Sequence, residues 1–535
     1  MKESKNKLNL KFDLASGLVV FFVALPLCLG ISLASTSYEA TGSIEAFGGV
    51  VMPGLIAGII GGIVVGTFSG SRFGVSGPAA GLITIVTAAI IEFGGFGNGG
   101  FEKFVLAVML GGVIQLLFGI IKGGLVAYYI PFSVIKGMLA GIGITIFLKE
   151  LPHFFGYDKD PEGDLAFDQA DGHNTFSEIG YALENVHVGA TIVALISIAI
   201  LIIWGLKFIK KNKTLSLIPG PLLAIIVSVL VALGLAGTAY VIEGEHLVDV
   251  PTPKSLDEFK GMLYFPDFSA IGDLAVWRVA LVIAVVASIE SLLCVEATDK
   301  MDPDKGRTPM NRELRAQGIG NIVSGLLGGL PITQVIVRST ANMNSGAKSK
   351  WSAVIHGVFL LGFVIAIPGV LNMIPRATLA AILLLIGWKL ASPKSMIQMW
   401  KSGWQQFVPF VVVIIVMHVP GGDLLIGVGA GIAVAFIIIL VKNLQMSFFV
   451  NGKGHDDGKI HLTLSQHTTF LNKASIMKRL DSIEDGSQVV VDLSNTISID
   501  YDVSEAILDF EKSAEDREIT VEIIEREKLI KFHPG

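Results

Sequence analysis

The sequence predicts a polytopic all-α membrane domain followed by a small α/β cytoplasmic domain, and three observations carry that prediction. The 535 residues are 52% hydrophobic and 16% charged, where a soluble chain carries about 25% charged residues. Apolar segments of near-spanning length recur along most of the chain. Charge density then rises abruptly, dividing a membrane domain, 1–442, from a soluble one, 443–535.

The candidate spans in the first half are 13–35, 47–68, 76–92, 103–121, 132–149, 187–208 and 217–235. In the second half they are 274–296, 315–328, 332–343, 353–372, 376–391, 405–419 and 422–442. That is fourteen transmembrane segments, with the third of each half unusually short. The 61 glycines lie mostly in this part, as close helix packing in lipid requires. Cys28 and Cys294 sit in apolar runs and offer no disulfide or metal framework. The lysine-rich start precedes an apolar run without a small-residue cleavage site, so that run is expected to stay as a helix.

The loops orient the array. Lys2, Lys5, Lys7, Lys11, Lys122, Lys136, Lys207, Lys210, Lys211, Lys213, Arg307, Arg312, Arg315, Lys348 and Lys350 fall on one side. The opposite loop, 150–186, holds Asp158, Asp160, Glu162, Asp164, Asp168, Asp171, Glu178 and Glu184 against Lys159. The positive-inside rule puts the N-terminus in the cytoplasm, and an even number of spans returns the C-terminus there. In the tail, KIHLTLS, QVVVDLS and ITVEII read as strands, and ASIMKRLDSI and SEAILDFEKSA as amphipathic helices. It carries no phosphate-binding loop or catalytic constellation, so regulation or assembly is the expectation.

The two short segments share a beginning. The first opens with Ser76, Gly77, Pro78, Ala79 and Ala80; the second has Pro331, Ile332, Thr333 and Gln334. Proline suits the first turn of a helix, so both read as helix starts inside the bilayer. Such starts leave N–H groups unpaired and carry a partial positive charge. Facing each other across a polar cavity, they would hold an anion. Two unrelated packing kinks are the alternative. Arg338, read about two turns into the second short helix, either faces that anion or snorkels toward the cytoplasm. Glu290, alone among apolar residues between Arg278 and Glu296, suits a coupling cation, Na⁺ or H⁺. A protonated carboxyl or a pair with Arg338 is the alternative. His356 and His418 each fall singly in a span and read as packed or mouth-lining.

At these residues the chain resembles the SulP family of anion transporters over nearly its whole length. Asp13, Gly17 and Pro26 match the first-helix pattern, followed by GVSGPAAG, SIESLL, and Pro331 with Arg338, Ser339 and Asn342. The tail resembles the STAS domain. The resemblance implies two inverted seven-helix repeats forming core and gate domains, an elevator-like cycle and a homodimer. It places the anion between the third and tenth half-helices, with Pro26 and Cys28 lining from the first helix. It makes Glu290 the coupling position, with Na⁺ near Glu290 and Thr333 and no other cofactor. The tail departs from the pattern: Ile499, Asp500, Tyr501, Asp502 and Val503 lack the serine that relatives phosphorylate.

The expected function is secondary transport of a small inorganic oxyanion, sulfate or bicarbonate, across the inner membrane. An uncoupled channel, a small dicarboxylate carrier and a nucleobase permease are the alternatives, while no nucleophile–base pair points to an enzyme and nothing points to nucleic acid. Gln334 and Arg338 in the tenth segment favour an anion over a nucleobase.

Overall fold

The computed structural model describes every residue except 1–8, 37–46, 96–98, 159–173, 207–208, 210–218, 253–255, 367, 420–423, 446–448, 452–458, 466, 469–472, 495, 497 and 525–535. Lys2, Lys5, Lys7, Lys159, Lys207, Lys210, Lys211, Lys213 and the acidic residues from Asp160 to Asp171 therefore lie outside the described residues. Two compact units result, 1–432 and 433–535. Their dividing point falls inside the last long apolar helix, upstream of the charge shift.

The first unit is almost wholly helical. In chain order its α-helices of eight or more residues are α1 (Leu10–Thr36), α2 (Phe47–Ile60), α3 (Ile83–Glu92), α4 (Gly100–Ile120), α5 (Phe132–Phe154), α6 (Ser177–Glu184), α7 (Val188–Gly205) and α8 (Gly220–Gly234). Then follow α9 (Leu274–Met301), α10 (Met310–Leu326), α11 (Ile336–Asn344), α12 (Trp351–Ala366), α13 (Arg376–Leu390), α14 (Pro393–Lys401), α15 (Trp404–Met417) and α16 (Leu424–Gln445). Among the described residues seven helices are long and apolar enough to cross a membrane, and five shorter ones are apolar. The expected spans 315–328 and 332–343 belong to neither group. α10 carries too many polar residues, and α11 is only 9 residues long.

Small residues set the close approaches. α4 and α10 meet at Gly112, Gly318 and Gly325, where an added Cβ would press on the facing backbone. α2 continues as a π-turn, Gly61–Val65, and a Cβ on Gly61 would collide with the Ser76 carbonyl. That turn lets the chain entering α3 lie directly against α2.

The main departure from the expectation is local. Val75–Pro78 and Ile332–Val335 are strands, β1 and β2, and they pair antiparallel. The helices start later, at the 3₁₀ turn Ala80–Leu82 leading into α3, and at Ile336 for α11. Pro78 thus closes a strand and Pro331 precedes one; neither occupies a first helical turn. A proline at a strand end interrupts no ladder bond, and the pairing of the two halves overrides the local helix-start signal. Arg338 consequently lies in the first turn of α11, not two turns in.

A polar collar joins several segments of the acidic-loop side. Asp158, just past α5, accepts hydrogen bonds from His153 Nδ1 at 2.7 Å and His246 Nδ1 at 2.8 Å. His187, the N-cap of α7, stacks on His246 with ring centroids 4.3 Å apart. Arg376 at the start of α13 donates to the carbonyls of Leu247 and Asp158. The hydrogen bond that His246 donates to Asp158 holds its imidazole above the usual range, and the hydrogen bonds from both histidines hold the Asp158 carboxyl below its own despite burial.

The second unit is a small α/β fold. Its main sheet has the order β3 (Phe449–Asn451), β4 (Ile460–Leu464), β6 (Gln488–Asp492), β8 (Thr520–Ile524). The β4–β6 and β6–β8 pairs are parallel and β3–β4 is antiparallel. A short pair, β5 (His467–Thr468) with β7 (Ser498–Ile499), stands apart from it. Helices α17 (Lys473–Asp481) and α18 (Tyr501–Ala514) pack Ile476, Leu480, Ile507 and Phe510 against Leu462, Val489 and Val491. Asp500 caps α18 through the Asp502 N–H at 3.1 Å. The three strands and two helices read from the tail's periodicity all form.

Candidate functional site

The ribbon of β1 and β2 brings the two short segments together with Val75 opposite Val335, Ser76 opposite Gln334, Gly77 opposite Thr333 and Pro78 opposite Ile332. From the ribbon, α3 and α11 depart. Neither start has a side-chain cap: Ala79, Leu82 and Val335 occupy the cap positions without side-chain bonds. A few helices elsewhere are capped, as Asp273 caps α9 at 2.9 Å. Uncapped first-turn N–H groups away from water call for another acceptor.

Beside them lies a cavity of ≈ 60 Å³. By the room one water needs, about 10–15 Å³, that holds a few water-sized groups. Of the predicted residues, Pro78, Ala80, Glu290 and Arg338 line it. Arg338 is 1% exposed, and among the described residues its guanidinium nitrogens find no oxygen or nitrogen acceptor, the weakly accepting Cys28 sulfur being the polar group beside them. It does not snorkel. An unmatched cation so placed is costly unless an anion joins it. Gly77 makes room for it: a Cβ there would collide with Arg338 Nη1. Gly81 does the same for the acid, since a Cβ there would stand 3.2 Å from Glu290 Oε2.

The other predicted residues are placed around this centre. Ser76 accepts from Gln317 Nε2 at 2.8 Å. Thr333 is fully buried, and its Oγ1 has no partner among the described residues. Gln334 donates from its backbone to Ser291 Oγ and from its side chain to Thr298 Oγ1, each at 3.2 Å. Ala79, Pro331 and Ile332 are buried within the ribbon and its flanks. From α1 the cavity takes Leu27 and Ile31 and not the expected Pro26 and Cys28; Cys28 lies against Gly58 and beside Arg338. His356 is fully buried near Arg338, and His418 bonds Ile414 O at 2.7 Å and Thr145 Oγ1 at 3.1 Å.

Several lining residues were not expected at the site from the sequence. Lys149 and Glu150 on α5, and Cys294 on α9, face the same cavity. Cys294 stands one helical turn from Glu290, a spacing that places both on one face. Among the described residues no group of three His, Cys, Asp or Glu side chains is arranged to hold a metal ion.

A model of the sulfate permease family matches residues 10–415. The chain is 29% identical over 445 residues to a putative sulfate transporter of Bacillus subtilis, covering 83% of this chain and 76% of that one. It is 26% identical over 468 residues to the bicarbonate transporter BicA of Picosynechococcus, covering 86% and 75%. Among solved structures, the transmembrane domain of a cyanobacterial BicA superposes with a TM-score of 0.53 at 22% identity, over 81% of this chain and 99% of that one. The murine solute carrier 26 family member A9 anion transporter, inward-facing, gives 0.64 at 17% identity over 97% and 86%. At these identities the structural likeness speaks for the fold alone.

Proposed function

The chain belongs to the sulfate permease family, and on that premise we propose that this multi-pass membrane protein is a secondary transporter of a small inorganic oxyanion, sulfate or bicarbonate. One observation carries the reading: two uncapped helix starts and an unmatched, buried Arg338 converge on a cavity that also holds Glu290. Helix N-termini with a cation beside them form an anion site whose partial charges need no proton chemistry.

In this reading the anion lies between Ala80 and the first turn of α11, with Ser76, Gly77, Pro78, Ala79, Pro331, Ile332, Thr333 and Gln334 shaping its surroundings. Glu290 carries coupling to Na⁺ or H⁺, and the Thr333 hydroxyl adds an oxygen for Na⁺. The core, containing both half-helices, moves against the gate in an elevator-like cycle of fourteen spans. The protein works as a homodimer in the inner membrane with both termini cytoplasmic, and the tail is its STAS-like domain. The names of relatives, one a putative sulfate transporter and one a bicarbonate transporter, support these two substrates.

Reconstitution into liposomes tests this. Labelled sulfate and bicarbonate are offered under imposed Na⁺ or H⁺ gradients. Saturable uptake driven by one gradient is expected. Flux that neither saturates nor follows a gradient would mark an uncoupled channel.

A further inference from the structure

A two-stranded ribbon in hydrocarbon has an outer edge on each strand, and every outward N–H and C=O there needs a partner. In an antiparallel pair, alternate residues turn these groups away from the opposite strand. On β2 the residues concerned are Ile332 and Gln334. Gln334 donates its N–H to Ser291 on α9. Ile332 is held twice by one side chain of α10. Its N–H donates to Asn321 Oδ1 at 2.6 Å, and Asn321 Nδ2 donates to its carbonyl at 3.0 Å. Opposite Ile332 stands Pro78, which has no N–H to offer.

Asn321 therefore acts toward β2 as a third strand would. Its second Nδ2 bond goes to Gln115 Oε1 on α4 at 2.8 Å, so every hydrogen of the amide is used and its orientation is fixed. One turn earlier, Gln317 donates to Ser76 on β1 and to Glu313 Oε1 at 3.0 Å. Glu313 in turn accepts from Ser69 at 2.5 Å, and Ser324 donates to the Leu330 carbonyl at 2.7 Å. These four side chains are at most 1% exposed, and their spacing lays them along one face of α10. That face explains why α10, though buried, is too polar to stand among the apolar helices.

We infer that Asn321 is a positioning residue of the anion site. It sets the depth and register of β2, and through β2 the first turn of α11 with Arg338, without itself lining the cavity. The connection has no slack, because α11 begins directly where the four residues of β2 end. An extended strand at about 3.3 Å per residue passes a shift at one end to the other. Gln317 does the corresponding work on β1. The inference rests on the transport reading above.

The test uses the full-length protein in liposomes, with KM and Vmax for sulfate and bicarbonate measured separately. Hydrogen exchange is followed in parallel on peptides covering 75–82 and 330–340. Asn321→Leu removes both bonds at similar volume; Asn321→Asp, neutral when buried, reproduces both. The leucine variant is expected to raise KM about tenfold with Vmax nearly kept, and to speed exchange at Ile332. The aspartate variant is expected to restore both. Unchanged KM, a fall in Vmax alone, or equal defects in the two variants would overturn the inference. Should the wild type carry neither anion, the transport reading fails, and exchange alone decides: unaltered exchange at 332–336 in the leucine variant overturns the positioning role. Should that variant not fold, Gln317→Met gives the same reading on β1, with raised KM and faster exchange at 75–78 expected and no change in either overturning it.

Discussion

The two half-helix starts share one plan and differ in chemistry. Each has a strand, a proline and a helix beginning without a side-chain cap. The first contributes almost no functional groups: Gly77, Pro78, Ala79, Ala80 and Gly81 follow Ser76. Of the two half-helix regions, the second supplies the charges, Arg338 on α11 and Glu290 on the adjoining α9, while Lys149 and Glu150 reach the cavity from α5. Gly77 accommodates Arg338 and Gly81 accommodates Glu290. The pseudo-symmetry thus builds the geometry, and breaking it gives the first half-helix start the room and the second the charge.

The largest effect should come from filling that room. Gly77→Val forces the Arg338 guanidinium aside, because the strand backbone is fixed by its pairing with Thr333. Anion uptake should fall by about 100-fold, the scale of losing contacts to a buried charge; uptake within a few-fold of wild type would show that the glycine is not needed there. Glu290→Gln should leave anion exchange measurable while removing its dependence on the cation gradient. A variant that still follows the gradient takes Glu290 out of coupling. Gly81→Ala should be milder, since the carboxylate need yield only slightly. A threefold or so weaker dependence on the coupling cation is expected, checked by cation titration of uptake, and an effect on anion KM instead would reverse the assignment of the two glycines.

The smallest effect lies away from both half-helices, in the collar. His246 gains a partner in Asp158, so its folded pKa is raised above 6.5. The resulting stabilisation is fully present below the ordinary pKa and is lost as pH rises through the raised one. The melting-temperature gap between wild type and His246→Gln should be a few °C at most, about 2–4 °C for a large domain, present near pH 5.5 and closing as pH rises. A gap that widens with pH would contradict the assignment.

Much of this site was legible in the sequence, and what was not has physical reasons. Hydropathy located most of the apolar helices, and the matched Gly-Pro pattern singled out the two segments that pair as β1 and β2. Gly77-Pro78 and Pro331 could not reveal a strand, because an extended pair forms only when two distant segments meet. Misjudging the helix starts also displaced Arg338 by about a turn. Asn321 and Gln317 were missed because polar residues in a span lower its hydropathy without announcing a partner. The regular spacing of Glu313, Gln317, Asn321 and Ser324 on one helix face was the available signal. The tail was easier, since alternating and amphipathic periodicities are local, and β4, β6, β8, α17 and α18 follow them.

In the proposed site, Arg338 and the two helix starts hold the transported anion together. Calorimetric titration of the purified protein, with whichever of sulfate and bicarbonate the wild type carries, tests this directly. Saturable binding to wild type and at least about tenfold weaker binding to Arg338→Ala are predicted. Equal affinity in the two proteins would contradict it.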